Sequence, residues 1–266
     1  GVSISRSRGS YIELFDNERI EIAKGPQSTL YGRGALIGAV NVVQNKARIG
    51  EASGTLEVEG GNQGYYLVGG AVNLPLADTL ALRLSGRVKE RDGFVENLLG
   101  GEDFNSTDTR AFRVALRGEP NENLRFDLIV NVQFDNPSGT SFKSLTYNPA
   151  DPETGQVLGD RGRNTGAALT TADGFEDDQP LGLDREVFGI TGLVDLKLND
   201  AFSLSSITAF RQFDGTEVFD PDGFGLPLLV FAEDAQGDMA SQEFRLNYDA
   251  GGPITAFGGV SVFYEK

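Results

Sequence analysis

From about Glu51 onward the sequence alternates apolar and polar residues with a period of two, and this constrains the fold more than any other feature. The stretch TLALRLSGRVK puts Leu80, Leu82, Leu84 and Val88 in one row and Arg83, Ser85, Arg87 and Lys89 in the other. RAFRVALR sets Phe112, Val114 and Leu116 against Arg113 and Arg117. LRFDLIVNVQF sets Leu124, Phe126, Leu128, Val130, Val132 and Phe134 against Arg125, Asp127, Asn131 and Gln133. VFGITGLVDLKL and QEFRLNY repeat the pattern, and further strands are expected near 52–60, 64–74, 202–213 and 254–264. Side chains of a strand point alternately to its two faces, so a period of two means strands with one apolar and one polar face.

The two rows then say what each face meets. The polar rows carry Arg, Lys, Asp and Glu too densely for a packed sandwich core, where unpaired charge is costly to bury. They face water or polar protein, and the nearly charge-free apolar rows suit lipid. Each strand is close to the ~9–11 residues that a tilted strand needs to cross a bilayer. The connections alternate as well. LPLADT, EPNEN, LND and DAGGP make tight turns at one end, and long segments at about 91–107, 135–184 and 215–238 lie at the other. Outer-membrane barrels have this asymmetry, whereas a β-sandwich keeps its loops short. The expected fold is all-β, a transmembrane antiparallel β-barrel with about nine strands here and a wide lumen. With both ends of the sequence looking cut, it is expected to continue in further hairpins.

Composition removes several functions. The chain has no Cys, His or Trp, which excludes thiolate zinc sites, Cys or His nucleophiles and Ser-His catalysis. A net charge of −16 argues against nucleic acid, which needs a basic face. The first residues lack the basic start and apolar core of a signal peptide. No enzyme activity, cofactor or resident metal is expected, because no carboxylate pair has the geometry-defining context of an acid and base.

Residues 1–50 break the alternation. YIELFDNERIEIAKGP opens as a short amphipathic helix or turn with Asp16 as cap or turn residue, and RIEIAKG and GAVNVVQN read as two strands joined by a glycine-rich link. That link is not a phosphate loop. Lys24 precedes its glycine, unlike the lysine of a Walker loop, and Gly32, Gly34 and Gly38 form G-x-G-x-x-x-G, one residue too long for a dinucleotide fingerprint.

The stretch DNERIEIAKGPQSTLYGRGALIGAVNVVQNKA instead resembles the end of the plug domain of TonB-dependent outer-membrane receptors. Arg19, Glu21, Lys24, Gly25, Pro26, Leu30, Tyr31, Gly32, Gly38, Asn41 and Val43 match the family pattern in register, while Ile37, Gln44 and Ala47 depart from it. The strands SLSSITAFRQF, SQEFRLNY and ITAFGGVSVFYE resemble its barrel wall. The resemblance implies an end of an α/β plug over 1–50 and the first part of the barrel over 51–266, out of about twenty-two strands in all. It also implies a monomeric receptor in the outer membrane of a Gram-negative bacterium, surrounded by lipid. Such a receptor takes up a scarce solute such as an iron–siderophore, cobalamin or a glycan, energised by TonB through a box outside these residues. A passive porin and a soluble β-rich carbohydrate-binding domain are the competing readings.

Site expectations follow. Plug–wall ion pairs are expected between Arg19, Glu21 and Lys24 and the wall residues Glu243 and Arg245, since shielded ion pairs hold a plug yet exchange for hydration. Gly25-Pro26 sets a turn, Tyr31-Gly32 allows close passage of the wall, and Asn41 caps plug backbone. Ligand contacts are sought in Asp173, Glu176, Asp177 and Asp178, a calcium site or a solvated acidic loop, and in Asp220 and Asp222, a ligand rim or an ordinary turn. Phe94, Phe104, Phe134 and Tyr248 are assigned to interfacial girdles.

Overall fold

The computed structural model describes residues 12–27, 35, 37–143, 152–154, 165–166, 178–223 and 229–266. Its chain opens with a small hairpin, β1 (Asn17–Lys24) against β2 (Gly38–Gln44). The wall follows as β3 (Ser53–Gly60), β4 (Tyr66–Ala77), β5 (Leu80–Arg91), β7 (Thr107–Asn121), β8 (Leu124–Asp135), β10 (Gly182–Lys197), β11 (Phe202–Phe219), β12 (Phe231–Asp249) and β13 (Thr255–Glu265). These nine form one antiparallel sheet in chain order, a meander. Between them β6 (Glu96–Asn97) and β9 (Thr165–Gly166) pair in parallel within the connections.

The sheet is inside out relative to a soluble protein. In β7, Phe112 and Val114 are 44% and 42% exposed, while Arg113 between them is 4% exposed. In β8, Leu128 and Phe134 are exposed and Asp127, Gln133 and Asp135 are buried. The polar rows form the interior because the hairpin and the segment before it pack there, and the apolar rows form the outward, lipid-type surface.

Registers are regular apart from three shifts, at Asn17/Arg19, Pro75/Ala77 and Gly118/Asn121. The second falls beside Pro75, which has no N–H to give the ladder. Several strands outrun the expected lengths. β11 and β12 have 18 and 19 residues, so the connection expected over 215–238 shrinks to 220–230. Their outward rows turn polar towards that end, at Gln212, Asp214 and Thr216 and at Asp234, Gln236 and Asp238. Alternation stops being visible where both faces meet water, although pairing continues.

Residues 12–15 form neither helix nor strand, and Asp16 sits at a bend with φ +47°. The carbonyls of Leu14, Phe15 and Asp16 accept bonds from Arg87 and Arg113 of the wall. Those interactions replace the helical i to i+4 bonds and draw the segment out as a strap.

Phe104 is not part of a girdle. It is 2% exposed and packs with Val95 and Leu181 in a small cluster within the long connections. Backbone bonds between Phe94, Val95 and Phe104 fold it inward. Phe94 stands exposed beside Arg91, whose guanidinium lies 5.1 Å from its ring centre. Phe134 and Tyr248 sit in outward rows, Tyr248 with its ring 5.1 Å from that of Phe202.

Candidate functional site

Among the described residues a dense polar contact lies between the strap, residues 13–16, and the inner rows of β5 and β7. The period of two places Arg83, Arg87 and Lys89 on one face of β5, and antiparallel register sets Arg113 of β7 opposite Ser85 among them. Glu13 reaches Arg87 Nη1 at 3.2 Å and Lys89 Nζ at 2.9 Å. Its backbone N–H donates to Gln133 Oε1 at 2.8 Å. Asp16 receives both prongs of Arg83, with Nε to Oδ2 at 2.8 Å. Arg113 donates to the carbonyls of Phe15 and Asp16 at 3.1 and 2.9 Å and stacks over the Phe15 ring.

Asp16 also ties the two ends of the hairpin together. Its Oδ1 accepts from Asn45 Nδ2 at 2.9 Å and its carbonyl from Asn45 N–H at 3.1 Å. The left-handed backbone at Asp16 points the carboxylate to the wall and the carbonyl to Asn45; aspartate is among the few residues that tolerate that conformation.

Burial disfavours the charged forms of both strap carboxylates, yet both are held below their usual pKa. For Glu13 the hydrogen bonds and charges of Lys89 and Arg87 outweigh burial. For Asp16 those of Arg83 and the bond from Asn45 do so. The strap is therefore anionic at neutral pH and fixed by wall cations.

A second attachment follows β2. Gln44 Nε2 donates to Asn131 Oδ1, and Lys46 lies 3.5 Å from Asp127, which Arg117 also holds at 2.7 Å. Fully buried Asn73 of β4 then clasps the segment leading into β3. Its Oδ1 accepts from Arg48 N–H at 2.8 Å, and its Nδ2 donates to the carbonyls of Arg48 and Glu51 at 2.8 and 2.6 Å.

The residues singled out from the sequence take other places. Arg19 bonds Glu18 and, at 2.6 Å, Glu21 of its own strand. Glu21 also accepts from Asn41 Nδ2 at 2.8 Å, so Asn41 engages a side chain across the hairpin rather than backbone. Lys24 is exposed at the end of β1. Gly25 has φ +83° and its N–H donates to the Ile37 carbonyl, opening the turn with Pro26 behind it. Gly38 lies so close to the opposite strand that a Cβ would stand 2.8 Å from the Ala23 carbonyl oxygen. Glu243 and Arg245 bond each other at 3.0 Å. They line a cavity of about 280 Å³ with Asp195 and, from the segment after β2, Lys46. Lys46 lines that cavity with them, and Arg19, Glu21 and Lys24 do not.

Asp220 is 3% exposed and accepts from the N–H groups of Asp222 and Gly223, closing its own turn. Asp178 has φ +59°, and among the described residues no group of three or more acidic side chains could hold a metal. Tyr31, Gly32, Asp173, Glu176 and Asp177 lie outside the described residues.

Sequence reasoning missed Glu13, Asp16, Asn73, Arg83, Arg87, Lys89 and Arg113 as an interface. The one signal was already visible: five cations, Arg83, Arg87, Lys89, Arg113 and Arg117, on the polar rows of two neighbouring strands in a chain of net charge −16.

Comparison with known proteins agrees with this architecture. Residues 1–39 match the family described as TonB-dependent Receptor Plug Domain. The vitamin B12 transporter BtuB of Photobacterium profundum is 32% identical over 85 residues, covering 32% of this chain and 14% of that protein. The ferrioxamine receptor of Yersinia enterocolitica is 26% identical over 165 residues, covering 60% of this chain and 21% of that protein. The ferric yersiniabactin uptake receptor FyuA of Yersinia pestis superposes with a TM-score of 0.71 at 17% identity, covering 92% of this chain and 35% of that one. The chain thus spans about a fifth or less of these curated relatives and about a third of this solved structure. A strap tied by ions to the polar face of an inverted, meandering sheet thus stands beside a plug-domain match on the first residues, and the sheet shares its fold with the TonB-dependent receptors the chain is similar to.

Proposed function

We propose that the protein is an outer-membrane receptor for active, TonB-energised uptake of a scarce solute such as an iron–siderophore, cobalamin or a glycan. The plug is residues 1–50 and the barrel wall begins at residue 51. The observation that carries this reading is the strap, where Glu13 and Asp16 are ion-paired to Arg83, Arg87 and Lys89 on the interior of the sheet. A passive porin has no use for a segment locked across its lumen. A receptor needs one that seals the barrel and comes away under force, and ion pairs can be exchanged for hydration at modest net cost. TonB supplies that force, outer-membrane lipid surrounds the outward rows, and a small molecule or chelate is the ligand. The protein acts as a transporter rather than an enzyme.

The names of the relatives support the solute class: one is a vitamin B12 transporter and others are receptors for ferric enterobactin and ferrioxamine. The test is planar-bilayer conductance of the membrane-inserted protein with and without residues 1–50. Little current from the intact protein and a large current after deletion is the expected result. Equal currents would make the protein a porin.

A further inference from the structure

The pairing of β5 with β7 contains a pattern that plug anchoring does not require. Along the inner face the successive rungs are Arg91 opposite Thr107, Lys89 opposite Thr109, Arg87 opposite Ala111, Ser85 opposite Arg113, Arg83 opposite Ala115 and Ala81 opposite Arg117. Each rung carries one cation. Where β5 has serine or alanine, β7 supplies the arginine. Six rungs extend about 33 Å along a strand, or about 25 Å of membrane depth at a tilt near 40°, which is the height of the apolar band.

The strap covers the middle of this ladder with anionic and carbonyl oxygens. Glu13 meets Lys89 and Arg87, the carbonyls of Leu14, Phe15 and Asp16 meet Arg87 and Arg113, and the Asp16 carboxylate meets Arg83. At the ends, Arg91 donates to the Asn105 carbonyl and Arg117 holds Asp127. Glu57 of β3 bonds Arg87 at 2.6 Å. Withdrawal of the strap removes Glu13 and Asp16 and leaves six cations, with Glu51, Glu57, Asp127 and Asp135 among the wall carboxylates near them. The chain as a whole is strongly acidic, so this stripe runs against its overall field.

We infer that the ladder is the conduction track for an anionic solute, one bearing carboxylate, phosphate or similar oxygen groups. The strap is its internal stand-in, occupying the same cations while the barrel is closed. The cations lie one rung apart, so an anion leaving one is within reach of the next and is never stranded on a single tight site. This rests on the proposed receptor function and narrows its solute.

The experiment measures reversal potentials in a potassium chloride gradient for the membrane-inserted protein carrying Glu13→Gln and Asp16→Asn, which loosen the strap. The expected chloride-to-potassium permeability ratio is above unity, with the current blocked by the anionic iron(III)–EDTA chelate. Adding Arg83→Gln, Arg87→Gln and Lys89→Gln is expected to bring the ratio to unity or below. Arg83→Lys with Arg87→Lys keeps the charge and is expected to keep the selectivity, which separates charge from damage to the wall. A ratio at or below unity in the strap variant, or one indifferent to the glutamine substitutions, overturns the track and leaves the ladder as an anchor. Absence of current from the strap variant, when deletion of residues 1–50 does conduct, also overturns the track while sparing the receptor. Absence of current from both removes the receptor reading itself.

Discussion

The guanidinium of Arg113 lies 4.6 Å from the centre of the Phe15 ring and donates through Nη1 to the Phe15 carbonyl at 3.1 Å. One wall side chain thus grips both the ring and the backbone of the strap, and its Nε is held in place by Asn131 Oδ1 at 2.7 Å. Arg113→Gln removes the stacked cation and the reach to two carbonyls. The expected loss is about 2–4 kcal/mol of strap attachment, the cost of leaving buried acceptors unpaired. Hydrogen exchange of residues 12–17 in the membrane-inserted protein reads it, with protection falling there and holding in β7 and β8. Unchanged protection would show that Arg113 does not secure the strap.

Asp16 combines a left-handed backbone with a two-pronged ion pair. Asp16→Asn keeps a residue that tolerates φ +47° but gives up the charge facing Arg83, with an expected cost of about 1–3 kcal/mol. Asp16→Ala adds backbone strain of about 1 kcal/mol. Alanine should therefore be the worse of the two by limited proteolysis of the strap, and a reversed order would mean that the backbone conformation carries no cost.

Acid should loosen the strap. Because Glu13 and Asp16 titrate below their ordinary values of 4.5 and 3.8 when the strap is docked, their contribution is complete above those values. It disappears as pH falls through the lower, docked values. Strap protection is thus expected to be constant from neutral pH down to about 5 and to collapse only in stronger acid. Glu13→Gln with Asp16→Asn should abolish that transition. A loss of protection already at pH 6 would assign it to other groups.

Asn73 is a second fixed point. Asn73→Asp still accepts the Arg48 N–H but sets an anion against the Arg48 and Glu51 carbonyls that the amide now serves. A cost of about 2–4 kcal/mol is expected for a fully buried site, and Asn73→Ala should cost less because it adds no charge. Thermal unfolding in detergent, followed by the gel mobility of the folded barrel, checks both. Equal midpoints for the three proteins would remove the clasp.

Glycines in the sheet should divide by position. A Cβ at Gly70 would stand 2.5 Å from the Thr55 carbonyl oxygen, whereas at Gly192 nothing lies within 4 Å. Gly70→Ala must push apart β3 and β4 and is expected to cost about 1–3 kcal/mol. Gly192→Ala adds an outward methyl in a strand and is expected to be neutral or stabilising by about 0.5–1 kcal/mol. The same unfolding assay decides, and a stability loss at Gly192 would contradict its open surroundings.

The sequence by itself determined the nine strands, which row of each faces outward and which end carries the short turns. All three follow from a two-residue period and local turn chemistry, which act over a few positions. It also carried the identity of the hairpin at β1 and β2. The strap could not be read that way. Glu13 and Asp16 look like the start of a helix until Arg87 and Arg113, about 75 to 100 positions later, take the carbonyls that a helix would use. The reach of Asn73 back to Arg48 and Glu51 is likewise invisible locally. The ladder depends on register, since sliding β7 by two residues against β5 would put Arg113 opposite Arg83 or Arg87 and leave the Ser85 rung without a cation. Alternation survives such a slip unchanged, because a two-residue shift keeps every side chain on its face. Only the assembled sheet, with the hairpin seated inside it, decided which charges stand together.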